Sequence, residues 1–106
     1  MSAFIVFTTA PDRAAAKKII QPLLDQRLTA CVHIASAGES YYWWRGRQEK
    51  AKEVLITLKT SKKALPSLMK TLKQIHPYET PEILAVAVND AERAYLKWIS
   101  KETKVK

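Results

Sequence analysis

Two prolines four residues apart, Pro77 and Pro81, limit what this chain can fold into more than any other feature. A proline removes a backbone donor and pushes the residue before it out of the helical region, so His76 and Thr80 are both driven toward extended backbone. Upstream of the pair, Leu65, Leu68, Met69, Leu72 and Ile75 recur at helical spacing; downstream, residues 83–88 form a near-continuous apolar run. A helix must therefore stop at His76 and a strand must begin near Ile83, joined by a stiff, extended connector. Four polar or ionisable side chains, His76, Tyr78, Glu79 and Glu82, sit on that connector. It reads either as a plain helix stop or as a segment that aims side chains at a ligand.

The rest of the chain alternates strand and helix patterns. Residues 3–9 are β-branched and aromatic with apolar side chains on both alternating sets, as in a central strand. Asp12 is placed to cap a helix whose apolar stripe is Ala16, Ile19, Ile20, Leu23, Leu24 and Leu28. Pro22 lies inside that stripe and costs about 3 kcal/mol relative to Ala in a helix interior, so a bend is expected between Lys18 and Pro22. Residues 29–34 open a second strand, and the small residues at 35–40 predict a bulge or bend. Extended structure resumes at Tyr41, Tyr42, Trp43 and Trp44, with alternate rings on opposite faces. Residues 45–48 read as a tight turn and residues 53–60 as the return strand of a long hairpin. Ser61 is a candidate cap for the second helix, in which Pro66 falls in the first turn, where a missing amide is tolerated. The run at 83–88 predicts burial on both faces. Tyr95, Leu96, Trp98 and Ile99 predict a short C-terminal helix, followed by a basic, frayed tail.

The order βαββαβ with an extra helix predicts an α+β, ferredoxin-like sandwich, one domain over residues 1–106. Two helices cover one face of such a sheet. Apolar residues of the first, third and fourth strands remain on the other, which predicts a homo-oligomer, with Tyr42, Trp43 and Trp44 in its interface.

Composition narrows the function. No apolar run approaches the ~20 residues that span a bilayer, and residues 1–6 lack a basic leader, so membrane insertion and export are not expected. The single cysteine, Cys31, has no disulfide partner and fits a reducing, cytosolic compartment. Eighteen Lys and Arg against ten Asp and Glu give a net charge of +8, which attracts polyanions at low salt. Thirteen of those cations are lysines spread over helix surfaces and the tail, a pattern that reads as a solvated face, so nucleic acid is not the expected partner. There is no nucleophile with a base, no carboxylate pair at a recognisable spacing and no glycine-rich phosphate loop; the chain does not read as an enzyme.

Three stretches, taken together, resemble one family: Thr29-Ala30-Cys31-Val32, then Tyr42-Trp43-Trp44-Arg45-Gly46, then His76-Pro77-Tyr78-Glu79-Thr80-Pro81-Glu82-Ile83. They are similar to the CutA divalent-cation-tolerance family, and Thr8-Thr9-Ala10-Pro11, residues 55–60 and Tyr95-Leu96-Lys97-Trp98-Ile99 match it in the same order. The resemblance implies a very stable homotrimer with hairpins paired across subunits, related in architecture to PII-type signalling proteins. It also implies an association with divalent metal ions, copper above all, and in some animal members with anchoring of a membrane enzyme, but no reaction. It places the site at His76 and Glu79 as metal ligands, in a cleft that Tyr78, Glu82, Cys31 and Lys59 would line. Some copper-linked members carry a Cys in the first strand and a second His before the motif; those positions here are Phe7 and Ile75. Where the family commonly has Asn after Ala-Cys-Val, this chain has His33.

Imidazole and carboxylate suit copper(II), so a Cu2+ or other divalent-cation site at His76 with Glu79 or Glu82 is chemically sensible. A histidine that ends an apolar stripe is more often a packed, hydrogen-bonded residue than a ligand. Cys31 reads as a small buried hydrophobe more than as a reactive thiol. Beside the metal-binding reading stands an anion- or nucleic-acid-binding trimer that uses its basic surface, with cations at the Arg45-Gly46-Arg47 tip and rings beside them.

Overall fold

The computed structural model describes residues 2–104. The elements are β1 (Ala3–Ala10), α1 (Arg13–Asp25), β2 (Cys31–Ile34), β3 (Gly38–Trp44), β4 (Arg47–Ser61), α2 (Leu65–Ile75), β5 (Leu84–Val88) and α3 (Arg93–Glu102). The strands form one antiparallel sheet in the order β2-β4-β1-β5, with β3 also paired to β4, which is the ferredoxin-like arrangement with an added helix. β1 is central, as its two-sided apolar pattern requires. No helix among the described residues is long and apolar enough to cross a membrane.

Strand alternation sorts the side chains into two faces. Val54, Ile56, Leu58 and Thr60 of β4, with Val6 and Ala10 of β1, are buried, and all but Thr60 join one core cluster with Ala16, Ile19 and Leu23 of α1 and Leu68 and Leu72 of α2. The intervening residues, Ile5, Phe7 and Thr9 of β1 and Glu53, Leu55, Thr57 and Lys59 of β4, point to the opposite, open face. α3 takes part of that face: Ser61 and Thr103 hydroxyls meet at 2.7 Å, and Ile99 and Thr103 are buried. The tail is therefore not frayed as far as Lys104, whose N–H donates to the Arg27 carbonyl at 2.8 Å; Val105 and Lys106 lie outside the described residues.

Local chemistry explains the boundaries. Asp12 caps α1, its Oδ1 accepting from the Ala15 N–H at 2.8 Å. α1 runs through Pro22 as one helix rather than two pieces. The carbonyl that Pro22 leaves without an amide partner belongs to Lys18, which is exposed, so water can serve it. At its end Arg27 takes the left-handed conformation (φ 61°), with Arg27 N–H bonded to Leu24 O and Leu28 N–H to Leu23 O, and its guanidinium then pairs with Glu102 at 2.6 Å. Ser61 ends β4 instead of capping α2, whose cap position is Ala64 without a side-chain bond; the Ser61 hydroxyl accepts from Ala64 N–H across the intervening turn.

The long hairpin turns on two residues, Arg45 (φ 51°) and Gly46 (φ 77°), both left-handed, as the twist of a two-residue hairpin demands. Three residues, 35–37, separate Ile34 from Gly38, while only Val54 and Leu55 separate their partners Ile56 and Glu53. That extra residue is the expected bulge. It shifts the parity, so Tyr42 and Trp44 share the open face with Cys31 and His33 although their numbers are even.

The run predicted to be buried on both sides, β5, is instead an edge strand, with Leu84 56% and Val86 48% exposed. Its register pairs Leu84 with Phe7 and Val86 with Ile5, so both lie on the open face. Among the described residues only β1 pairs with it.

Candidate functional site

The connector after α2 is held by His76. Its amide closes the helix by donating to the Leu72 carbonyl, and φ −69°, ψ 135° then turn the chain to the extended conformation that Pro77 imposes. The ring is 7% exposed. Nδ1 accepts from the Tyr78 N–H at 3.1 Å, which fixes the proton on Nε2, and Nε2 donates to the Thr9 carbonyl at 2.8 Å. Thr9 lies two residues beyond the last β1–β5 pair, Phe7 with Leu84, so the imidazole serves the central strand where the edge strand has ended. Both ring nitrogens are occupied, and a metal could reach either only if one of these bonds opened.

Tyr78, with its ring tilted 52° to that of His76 at 4.9 Å, carries the connector across to the hairpin. Its hydroxyl donates to Glu53 Oε2 at 2.7 Å. Burial, together with this bond and the negative charge of Glu53, pushes the phenol well above its usual range, so it remains a donor. A second tie joins Arg45 at the hairpin tip to Glu79 at 3.6 Å, between two exposed side chains.

Between hairpin and connector lies a cleft of about 930 Å³ on the open face. Thr9 forms its floor; Tyr42, Trp44 and Glu53 stand on the hairpin side and Tyr78, Glu79 and Glu82 on the connector side. Five of the residues singled out from sequence, Tyr42, Trp44, Tyr78, Glu79 and Glu82, thus converge. Trp43, 70% exposed, alternates away from Trp44. Cys31 and Lys59 are paired to each other in register, six residues along β4 from Glu53, or about 20 Å at ordinary strand rise, and do not reach this cleft within the chain. Cys31 is free, its Sγ 3.6 Å from the Tyr95 hydroxyl of α3, a contact that with burial raises the pKa of that phenol.

Sequence reasoning missed Glu53 and the Thr9 carbonyl. Glu53 stands 25 residues from Tyr78, and only the hairpin register brings them together; a backbone acceptor leaves no mark in sequence at all. Among the described residues no group of three or more His, Cys, Asp or Glu side chains is arranged to hold an ion. With His76 fully bonded, the described residues do not form a chelate.

Residues 4–102 match the family model described as CutA1 divalent ion tolerance protein. A divalent-cation tolerance protein CutA from Pyrococcus horikoshii is 41% identical over 100 residues, covering 94% of this chain and 97% of the relative. The crystal structure of CutA1 from Oryza sativa superimposes with a TM-score of 0.93 at 30% identity, over 100% of this chain and 97% of the other. A protein from Archaeoglobus fulgidus described as a periplasmic divalent cation tolerance protein CutA gives a TM-score of 0.91 at 30% identity, over 96% of this chain and 99% of the other.

Proposed function

Because the chain belongs to the CutA1 divalent ion tolerance family, we propose that it is a homotrimeric, non-catalytic binding protein whose cleft takes a divalent cation, copper(II) being favoured where an imidazole joins the carboxylates. The observation that carries this reading is the open face. Leu55, Leu84 and Val86 are 40–56% exposed there, Tyr42 and Trp44 lie farther along the same face on the hairpin, and the cleft opens on the same side. Exposed apolar side chains along one whole face mark an association surface, and a closed ring of copies is the economical way to cover it.

Assembly also bears on the metal. One protomer offers Glu79 and Glu82 at the cleft but too few ligands, so the ion is held by carboxylates from more than one copy. His76 acts as the positioning residue that sets the connector, and it joins the ligands only by releasing Thr9 or Tyr78. Cys31, Lys59 and His33, remote from the cleft in their own protomer, contribute only from a neighbouring copy. A cytosolic location is part of the same reading, supported by the free Cys31; cell fractionation separates it from the periplasmic location named for the Archaeoglobus fulgidus relative.

Light scattering at micromolar protein and copper(II) titration calorimetry test the two halves. A trimer mass and loss of the copper heat in Glu79→Gln, with His33→Ala unaffected, are expected. A monomer refutes the assembly; unchanged uptake by both Glu79→Gln and His76→Ala refutes the site.

A further inference from the structure

The folded chain segregates its charge in a way that residue counts along the sequence conceal. Arg13, Lys17 and Lys18 on α1, Lys62 and Lys63 in the turn before α2, and Lys70 and Lys73 on α2 are all exposed. Only Asp12 and Asp25 oppose them on these segments, and α2 has no acidic residue. Seven cations against two carboxylates place +5 of the net +8 on the helix layer. Both carboxylates are engaged: Asp12 caps α1, and Asp25 accepts from Gln21 Nε2 at 2.8 Å. Neither ion pair among the described residues, Arg27 with Glu102 or Arg45 with Glu79, involves any of the seven. Glu79 of the connector shares a shallow pocket with Lys70 and Lys73 but pairs with Arg45, so the layer as a whole keeps its positive charge toward solvent.

We propose that the α1–α2 layer is a docking surface for the phosphate backbone of duplex nucleic acid. Charge complementarity is the basis: clustered lysines displace the condensed counterions of a duplex, and the release of those ions drives binding without base readout. The chemistry of the layer selects a duplex over the other common polyanions. No tryptophan, tyrosine or phenylalanine lies on α1 or α2, so there is no platform for stacking unpaired bases. A basic helix that lies in a lipid interface presents bulky apolar side chains to it; here most large apolar residues of the two helices pack in or against the core, Leu24 and Met69 are half-buried, and only Ile75 reaches 37% exposure. The layer is also on the side of the sheet opposite the apolar open face, so association through that face leaves it outward and repeats it in every copy. The inference does not depend on the metal reading.

The test uses the full chain and a fluorescein-labelled 20-base-pair DNA duplex of arbitrary sequence, titrated by fluorescence anisotropy at 50 and 200 mM KCl. If about four phosphates are neutralised, affinity falls about 100-fold between the two salts. Lys70→Glu/Lys73→Glu should flatten the salt slope by about 2, one for each lost phosphate contact. Lys97→Glu/Lys101→Glu, an equal change of net charge on α3 across the sheet, should leave the slope unchanged. Circular dichroism of both variants, whose four substituted residues are all exposed, establishes that each is folded. Equal loss in the two variants would attribute binding to net charge alone and overturn the proposal, as would absence of duplex binding at 50 mM. Sedimentation with phosphatidylserine vesicles but no duplex binding would assign the surface to anionic lipid and likewise overturn it.

Discussion

Replacing His76 by alanine separates the two roles a histidine can play at the end of a helix. The wild-type ring makes two hydrogen bonds, at 2.8 Å to the Thr9 carbonyl and 3.1 Å from the Tyr78 N–H, and is almost wholly buried. In His76→Ala the Thr9 carbonyl loses its donor in a place water reaches poorly, and an orphaned buried acceptor costs about 1–3 kcal/mol. The Tyr78 amide belongs to a half-buried residue and turns to solvent, adding little. Loss of the ring's packing adds to this, and we expect about 2–4 kcal/mol in all. For a chain of this size that lowers Tm by roughly 10 °C or more. The assay is equilibrium unfolding at one fixed protein concentration, because an associating protein has a concentration-dependent midpoint. Amide exchange gives the local readout: Tyr78 N–H should lose protection while the β1–β4 ladder keeps it. His76→Gln, which can still donate an amide N–H toward Thr9, should recover part of the loss. A His76→Ala variant within about 0.5 kcal/mol of wild type would refute the positioning role; if the same variant lost copper binding, the ring would be a ligand instead.

The other expectations are narrower. Thr8 is wholly buried and its Oγ1 has no partner among the described residues, so Thr8→Val should stabilise by about 1 kcal/mol in denaturant titration; destabilisation would reveal a partner for that hydroxyl. The Tyr78 phenol is raised in the folded state, so its contribution is present in full below the unfolded value near 10 and is lost as pH rises further: the stability gap between wild type and Tyr78→Phe should shrink above about pH 10, and a gap that widened there would contradict the Glu53 bond. Trp44 sits on the open face at 38% exposure and Trp43 on the other at 70%. Trp44→Ala should accordingly weaken self-association by about 2 kcal/mol or more and Trp43→Ala by less, on dilution followed by light scattering; the reverse order would put the interface on the wrong side of the hairpin.

Much of the fold follows from local chemistry that the sequence displays. Asp12, the stripe as far as Leu24, Pro77 and the small residues at 35–40 each bias their own conformation. Asp12 caps α1, Pro77 leaves His76 extended, and residues 35–37 form the bulge while residues 38–40 join β3, whereas residues 77–80 bend rather than run extended. What the sequence concealed is relational. A run such as Leu84 to Val88 has one composition whether another strand, a helix or a second copy covers it, so its apolarity could not reveal that it forms an edge. Pro22 does not divide α1, since Lys18, whose carbonyl it leaves without an amide partner, is an exposed residue, and the spacing of the stripe does not show this. At the site, the connector could be read because proline geometry is local. Glu53 could not, since its approach to Tyr78 depends on the register of the hairpin. The separation of Cys31 and Lys59 from the cleft likewise comes from counting along β4, which needs the pairing first.

The placement of β4 between β1 and β2 has a consequence for how the chain comes into being. β1 is made first, yet both strands that flank it come from much later segments: its β4 partners are residues 54–61, roughly fifty residues on, and its β5 partners are residues 84–88. At the usual pace of about 5–20 residues per second, several seconds of synthesis pass while an apolar strand has neither edge paired. Unpaired apolar edges recruit other chains, so this interval, rather than the finished protein, is where the sequence is most exposed to aggregation. It ends when β4 enters. The Arg45-Gly46 turn lets β3 and β4 zip together locally within microseconds, so the strand reaches β1 already aligned by its own hairpin.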